Sequence, residues 1–310
     1  MKIRTRTQIE IPGIEAVLKV QVEDQFREQE DHSSKDVNWK KYLIIWVISC
    51  LFPTFAFAQD LPFQSGEKLH YDIHYKYGFV MMKAGTASYQ VNNTLLNQQP
   101  VIRTSLNFKT TSFFDKIYKI RDTLYSYLDV KDLYPVYHKR YVHEGSTNYT
   151  EQIFFSERNG NETKARIKRE TKTVVKLDTI MKTELPGYDL LGIFAFARTL
   201  DYNSLNLNES FSLSTFVGRN LVNIKVRYKG QSIVEKSDKL KYNTFRLEID
   251  IIDDAFDSEK NAMEIWISND LNRIPIKIKG KLKIGAAEVF LTSHENLKYP
   301  FTSEIRIKRK

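Results

Sequence analysis

Residues 263–291 read MEIWISNDLNRIPIKIKGKLKIGAAEVFL. Between 274 and 284 the even positions Ile274, Ile276, Ile278, Leu282 and Ile284 are apolar, while Lys277, Lys279, Lys281 and Lys283 occupy odd ones. Successive side chains of an extended chain point to opposite sides, so this alternation marks a strand with one buried and one wet face. Pro275 sits near the strand's start, where a missing N–H is tolerated. Asn269-Asp270-Leu271-Asn272 supplies the turn before it. The stretch reads as a hairpin, a second turn and another strand.

The same pattern extends in both directions. Across 67–79, Leu69, Tyr71, Ile73, Tyr75, Tyr77 and Phe79 share one face; Lys68, His70, Asp72, His74 and Lys76 share the other. Gly78 and Lys83-Ala84-Gly85 interrupt it. Further strands are expected over 86–91, 101–109, 117–129, 136–143, 149–155, 164–169, 173–181, 211–216, 221–228, 230–234 and 242–252, with an Asn/Gln-rich turn at 92–100. One interval differs. Over 189–200, Leu190, Phe194, Ala197 and Leu200 recur at helical spacing, and Leu191, Ile193 and Phe196 cover much of the remainder. Asp189 at its start and Arg198 near its end suit the helix dipole. A helix apolar all round is a buried helix, so Phe194 is expected in the core.

The 13% aromatic share favours strands. The expected fold is all-β with one buried helix: a long antiparallel sheet, strongly curved or closed into a barrel. Ala84-Gly85-Thr86-Ala87 and Ile284-Gly285-Ala286-Ala287 each follow an alternating strand. Small residues there let a sheet turn a corner, which predicts that 67–91 and 274–297 are neighbours in one sheet.

The start of the chain carries the parts of an export signal. Lys40-Lys41 precede an apolar run over 42–57, and Ala56-Phe57-Ala58-Gln59 supplies an Ala-x-Ala site, placing cleavage between Ala58 and Gln59. Signal peptides sit at the extreme N-terminus, so residues 1–36 are read as an upstream extension, with the native start at Val37, the signal at 37–58 and one β-rich domain over 59–310; the competing reading is a start at Met1, with a cytoplasmic tail on an uncleaved anchor. The protein is expected to be exported to the periplasm or outer envelope. The single cysteine, Cys50, lies inside the apolar run; lipidation there is the alternative anchor. No disulfide forms without it. Basic and acidic residues cancel over 1–58, so 59–310 holds the whole net charge of +9. That suits an anionic envelope surface; nucleic acid is in the wrong compartment.

Several pieces resemble the exported bacterial family known as domain of unknown function 3108. They are Gly66-Glu67-Lys68-Leu69-His70-Tyr71-Asp72, Lys83-Ala84-Gly85-Thr86-Ala87, the run from Phe114 to Asp122, the helix from Tyr188 to Arg198, Trp266-Ile267-Ser268 with Asn272-Arg273-Ile274-Pro275, and the run from Lys281 to Glu288. The resemblance implies an exported, mostly β envelope protein and brings no catalytic residues. More distantly, the Trp-containing strand turning into an Ile-Pro strand is similar to periplasmic lipoprotein-carrier half-barrels.

No nucleophile elbow, His-Glu-x-x-His or phosphate loop is present. His70 and His74 share a strand face about 13 Å apart, too far for one metal ion, and His138 and His143 point to opposite faces. Asp253, Asp254 and Asp257 read as a solvated turn. No cofactor is expected. The candidate ligand-lining residues are Trp266 and Phe290, both out of phase with their buried neighbours, and Phe194. They suit an apolar or lipid-like ligand. Lys164, Arg166, Lys168, Lys277, Lys279, Lys281 and Lys283 form two basic stripes suited to an anionic surface. The expected role is a non-catalytic envelope protein; a scaffold using these basic faces is the alternative, and a hydrolase the least supported.

Overall fold

The computed structural model describes residues 60–156, 160–217, 220–237, 240–252, 259–282 and 284–306. Residues 1–59, with Cys50 and the Ala58–Gln59 site, lie outside them, as do Lys283, Asp253, Asp254 and Asp257. The strands are β1 (Lys68–Tyr77), β2 (Val80–Leu96), β3 (Gln99–Thr110), β4 (Arg121–Asp129), β5 (Pro135–Glu144), β6 (Thr147–Phe155), β7 (Thr163–Glu170), β8 (Val175–Thr183), β9 (Gly187–Tyr188), β10 (Ser210–Val217), β11 (Asn220–Ser237), β12 (Leu240–Ile252), β13 (Glu259–Ser268), β14 (Pro275–Lys281), β15 (Ala286–Glu295) and β16 (Glu304–Arg306). Among the described residues two helices join them, α1 (Ser112–Asp115) and α2 (Leu190–Thr199).

All strands belong to one sheet, in the order β8-β7-β6-β5-β4-β3-β2-β1-β15-β14-β13-β12-β11-β10-β9, with β16 paired to β12. Only the β9–β10 pair is parallel. The segments 67–91 and 274–297 are neighbours, as their glycine-alanine pieces predict: Leu69 faces His294, Ile73 faces Val289 and Lys76 faces Ala286. The ends of the order, β8 and β9, are consecutive in sequence, so the sheet curls into a nearly closed barrel. Side chains complete the seam. Thr183 Oγ1 lies 2.7 Å from Ser214 Oγ, Gly187 N–H donates to Thr163 Oγ1 at 2.8 Å, and Phe155 packs edge-on against Phe216.

The helix fills the barrel. Leu191 and Ala195 pack with Leu69, Tyr71, Tyr89, Leu124, Leu128, Ile276 and Leu291 from one side. Ile193 and Phe196 pack with Val226, Tyr228, Phe245, Leu247 and Ile267 from the other. This is why its sequence is apolar all round: it has core on opposite sides. Asp189 is its N-cap, accepting from the amides of Leu191 and Gly192. Phe194 is half-buried, against Tyr89 at 4.5 Å, not fully enclosed. No helix among the described residues is long and apolar enough to cross a membrane.

Several boundaries differ from the sequence reading. The expected strand at 117–129 starts only at Arg121, because Thr111 caps α1 and 116–120 is a loop. Strand β2 runs through Lys83-Ala84-Gly85 without a break; Gly85 has no room for a Cβ, which would stand 2.6 Å from the Lys109 carbonyl oxygen. The turn after β2 is only Asn97-Gln98, both at positive φ, as a two-residue hairpin requires. The strands expected at 221–228 and 230–234 are one, bulged where Gly230 adopts φ +80°. Most consequentially, Tyr77, Phe79, Leu282 and Ile284, assigned by alternation to the buried face, are exposed. The alternation continues past the end of the barrel.

Candidate functional site

Trp266 and Phe290 come together on the outer face, on either side of Lys277. The Lys277 ammonium lies 5.2 Å from the Trp266 ring and 4.9 Å from the Phe290 ring, and pairs with Glu288 at 2.9 Å. Both rings cover that lysine's stem. Trp266 lies on the opposite face of β13 from Ile265 and Ile267; it and Phe194 both border the core that holds Leu191 and Ala195, and the ring that Phe194 meets is that of Tyr89. Burial works against ionisation of Glu288, but Lys277 and Lys76 outweigh it and hold its carboxyl below the ordinary value.

The two basic stripes do not share a surface. Strand β7 lies eight positions from β14 along the sheet, about 38 Å at the usual strand spacing. Both stripes are largely matched by acids. Arg166 makes two 2.7 Å bonds to Asp178, and Lys168 reaches Glu170 at 2.5 Å. Lys277 is held by Glu288, and Lys279 lies 3.6 Å from Glu264. Lys164 stands opposite Lys182, and Lys281 is exposed at the end of β14.

Two buried ionic clusters, unseen in the sequence, anchor the helix. Arg198 has no solvent exposure. It donates to both carboxylate oxygens of Glu67, at 2.5 and 3.0 Å, to the Asn272 carbonyl at 2.8 Å and to the Pro62 carbonyl at 3.2 Å. Burial disfavours its charge, but Glu67 prevails and raises the pKa of the guanidinium. Three pieces that carry the family resemblance meet here: Glu67, the helix and Asn272. At the other end, Asp189 accepts from Ser126 Oγ at 2.7 Å, and His138 Nδ1 lies 3.3 Å away. Burial works against the Asp189 anion; His138, Ser126 and the Gly192 amide override it and depress its pKa. A serine, a histidine and an aspartate are thus adjacent, yet serine and histidine both address the carboxylate, which caps the helix. In a nucleophilic triad the histidine would address the serine. All three are buried. Among the described residues no three His, Cys, Asp or Glu side chains are placed to hold a metal ion.

A depression of about 560 Å³ lies on the outer faces of β1–β4, with polar groups including His70, Asp72, Asn107, Lys109 and Arg121 in its lining. The interior behind it is packed. Exposed apolar side chains are scattered over the surface, among them Leu95, Val175, Ile180, Leu207 and Ile233, but neighbouring loops bring a group of them together at the end of the barrel where β1 meets β2. That hairpin turns through Gly78-Phe79, with Gly78 at φ +58°, and presents Tyr77, Phe79, Val80, Met81 and Met82 to solvent; Phe79 is fully exposed. On one side is the β14–β15 turn with Leu282 and Ile284, held by a bond from Tyr75 Oη to the Ile284 carbonyl at 3.2 Å. On the other is the β3–β4 loop with Phe113, Ile117 and Tyr118, held by a 2.9 Å bond from Thr111 N–H to the Ala84 carbonyl. Sheet adjacency therefore gathers three loops into one apolar rim. The other end is covered by 60–66 and by the segment after β15, through contacts such as Lys298 with Asp60. The signal for the rim was in the sequence: the apolar run Phe79-Val80-Met81-Met82 and the alternating Leu282 and Ile284 extend beyond what a barrel wall buries.

The family model described as Protein of unknown function (DUF3108) matches residues 70–292. No curated protein matches. Among solved structures, the crystal structure of a β-barrel-like protein of domain of unknown function DUF1849 from Brucella abortus is similar. Its identity to this chain is 11% and its TM-score 0.52, covering 75% of this chain and 98% of that one. That likeness concerns the fold alone.

Proposed function

Because the chain belongs to the DUF3108 family of proteins of unknown function, we propose its role from geometry: an exported, non-catalytic envelope protein that engages an apolar or lipid-like partner at its surface. One observation carries this reading, the rim built from 77–82, 113–118, Leu282 and Ile284. Singly scattered exposed hydrophobics are ordinary, whereas a group of them drawn from three adjacent loops marks an interaction site. The packing of the helix inside the barrel supports a surface partner over an enclosed one, since the space is taken by side chains. The signal-like pattern read over 37–58 supports the compartment. The scaffold reading based on the lysine stripes has less support, because the stripes lie on distant strands and are largely paired. Fractionation of producing cells with protease shaving of spheroplasts tests the proposal. The expected result is envelope protein whose mature chain begins at Gln59. Full-length protein in the cytoplasm would sink it.

A further inference from the structure

We infer that the rim docks the barrel end-on to an anionic lipid bilayer, with the Tyr77–Met82 hairpin tip entering the headgroup–acyl boundary; this rests on the surface-binding reading above. The first argument is layering. The hairpin tip is apolar, and the first charged residues behind it, Lys76 and Lys83, lie two to five residues back, roughly 7–16 Å along a strand. Apolar groups of interfacial proteins sit roughly 5–10 Å deep, with cations at headgroup level. The flanking loops repeat the arrangement: Lys116 and Lys119 bracket Ile117 and Tyr118, and Lys281 precedes Leu282.

The second argument is charge complementarity. The described carboxylates beside the rim are each held by a cation: Asp115 by Arg121 at 2.6 Å, Asp72 by Lys83 at 2.7 Å, and Glu288 by Lys76 and Lys277. Lys109, Lys116 and Lys119 are exposed and make no ion pair among the described residues. Among the described residues of these three loops the excess is therefore cationic, which suits phosphate headgroups and disfavours stacking of two identical rims. The third argument is anchorage. Gly285, at φ +77°, lets the β14–β15 turn lie against the backbone of β1; a Cβ there would stand 2.3 Å from the Lys76 carbonyl oxygen. The two apolar turns are thus locked side by side and presented without an ordering cost on binding.

The test places a single environment-sensitive fluorophore on the full chain carrying Cys50→Ser, at Phe79→Cys, or at Leu95→Cys near the far end of β2. Phosphatidylglycerol–phosphatidylethanolamine vesicles are added, and phosphatidylcholine vesicles in parallel. The expected result is a blue shift at 79 with the anionic vesicles and none at 95. Lys116→Glu with Lys119→Glu should weaken the binding read at 79 by roughly fivefold or more for each lysine. A probe at 79 that stays in water with every vesicle overturns the inference, even if the protein co-sediments with lipid through its N-terminal run. An equal response to phosphatidylcholine, unaffected by the lysine reversals, also overturns it. So does a shift that grows with protein concentration without vesicles, which would make the rim an interface between copies. Ile284→Cys is the second probe position should the 79 variant melt early. An envelope protein whose probe stays in water defeats only this inference; a cytoplasmic one defeats the functional reading as well.

Discussion

Arg198 and Glu67 are the tightest constraint at the scale of single residues. Both lack solvent exposure, so removing either partner strands a charge in the core. Arg198→Ala or Glu67→Ala is expected to cost about 3–5 kcal/mol, read as a lowered urea midpoint. Arg198→Met with Glu67→Leu removes both charges and should recover most of that loss. The recovery will be incomplete, because the Asn272 carbonyl loses its donor. A double variant as unstable as the singles would show that shape, not charge, matters here. Asp189 makes a pH-dependent counterpart. Its folded pKa lies below its unfolded one, so its contribution is complete above the unfolded value of roughly 3.9 and is lost as pH falls through the folded one. Asp189→Asn keeps a competent cap. It should cost about 1–3 kcal/mol at neutral pH, with the gap to the parent closing below about pH 4. A gap that stays constant with pH would refute the charged assignment.

Glycines decide where elements can meet. At Gly85 an added Cβ would collide with backbone, the Lys109 carbonyl at 2.6 Å. Gly85→Ala should therefore destabilise by about 1–3 kcal/mol, since carbonyls of a ladder do not yield as side-chain tips do. Gly280 has nothing within 4 Å of such a Cβ, and Gly280→Ala should stabilise by about 0.4–1 kcal/mol through the unfolded chain. Thermal melts that rank the two variants the other way would contradict the register of β2 with β3. At this scale the sequence was informative about type and poor about limits. Alternation identified β1 and β14 because a strand face repeats every two residues. It carried Tyr77, Phe79, Leu282 and Ile284 into the core because it has no information on where a barrel wall stops. The helix was readable from its spacing and from Asp189 as its cap. The partner of Arg198 was not, because Glu67 is 131 residues away and nothing local marks the pair. Trp266 and Phe290 were found together by phase, but Lys277 between them makes them a sleeve for a cation.

The whole molecule is a meander whose chain starts in the middle. Read from β9 to β15 and then from β1 to β8, each strand pairs with the next in line, and the sheet's two free ends are β8 and β9. Among the described strands the β1–β15 ladder thus joins the most distant sequence, with Lys68 opposite Glu295; the short β12–β16 pair spans far less chain. Folding must close that loop of more than 200 residues before the ladder contributes anything, and non-local pairing of this kind slows folding. A circular permutant would relieve it. Joining Arg306 to Asp60 by a flexible linker and opening the chain at Glu184-Leu185, between β8 and β9, turns the closing ladder into a local hairpin. The opening falls where no ladder bond is cut, and the seam contacts there, such as Phe155 with Phe216, are made by side chains from strands that remain intact. The permutant should reach the same barrel with similar denaturant sensitivity, while its refolding, followed by Trp266 fluorescence in stopped flow, runs faster than that of the unpermuted 60–306 chain. The seam cluster now joins distant sequence, so it should form late, and seam substitutions such as Phe216→Ala should speed unfolding more than they slow folding. Equal refolding rates for the two connectivities would mean that closure of β1 on β15 does not limit folding.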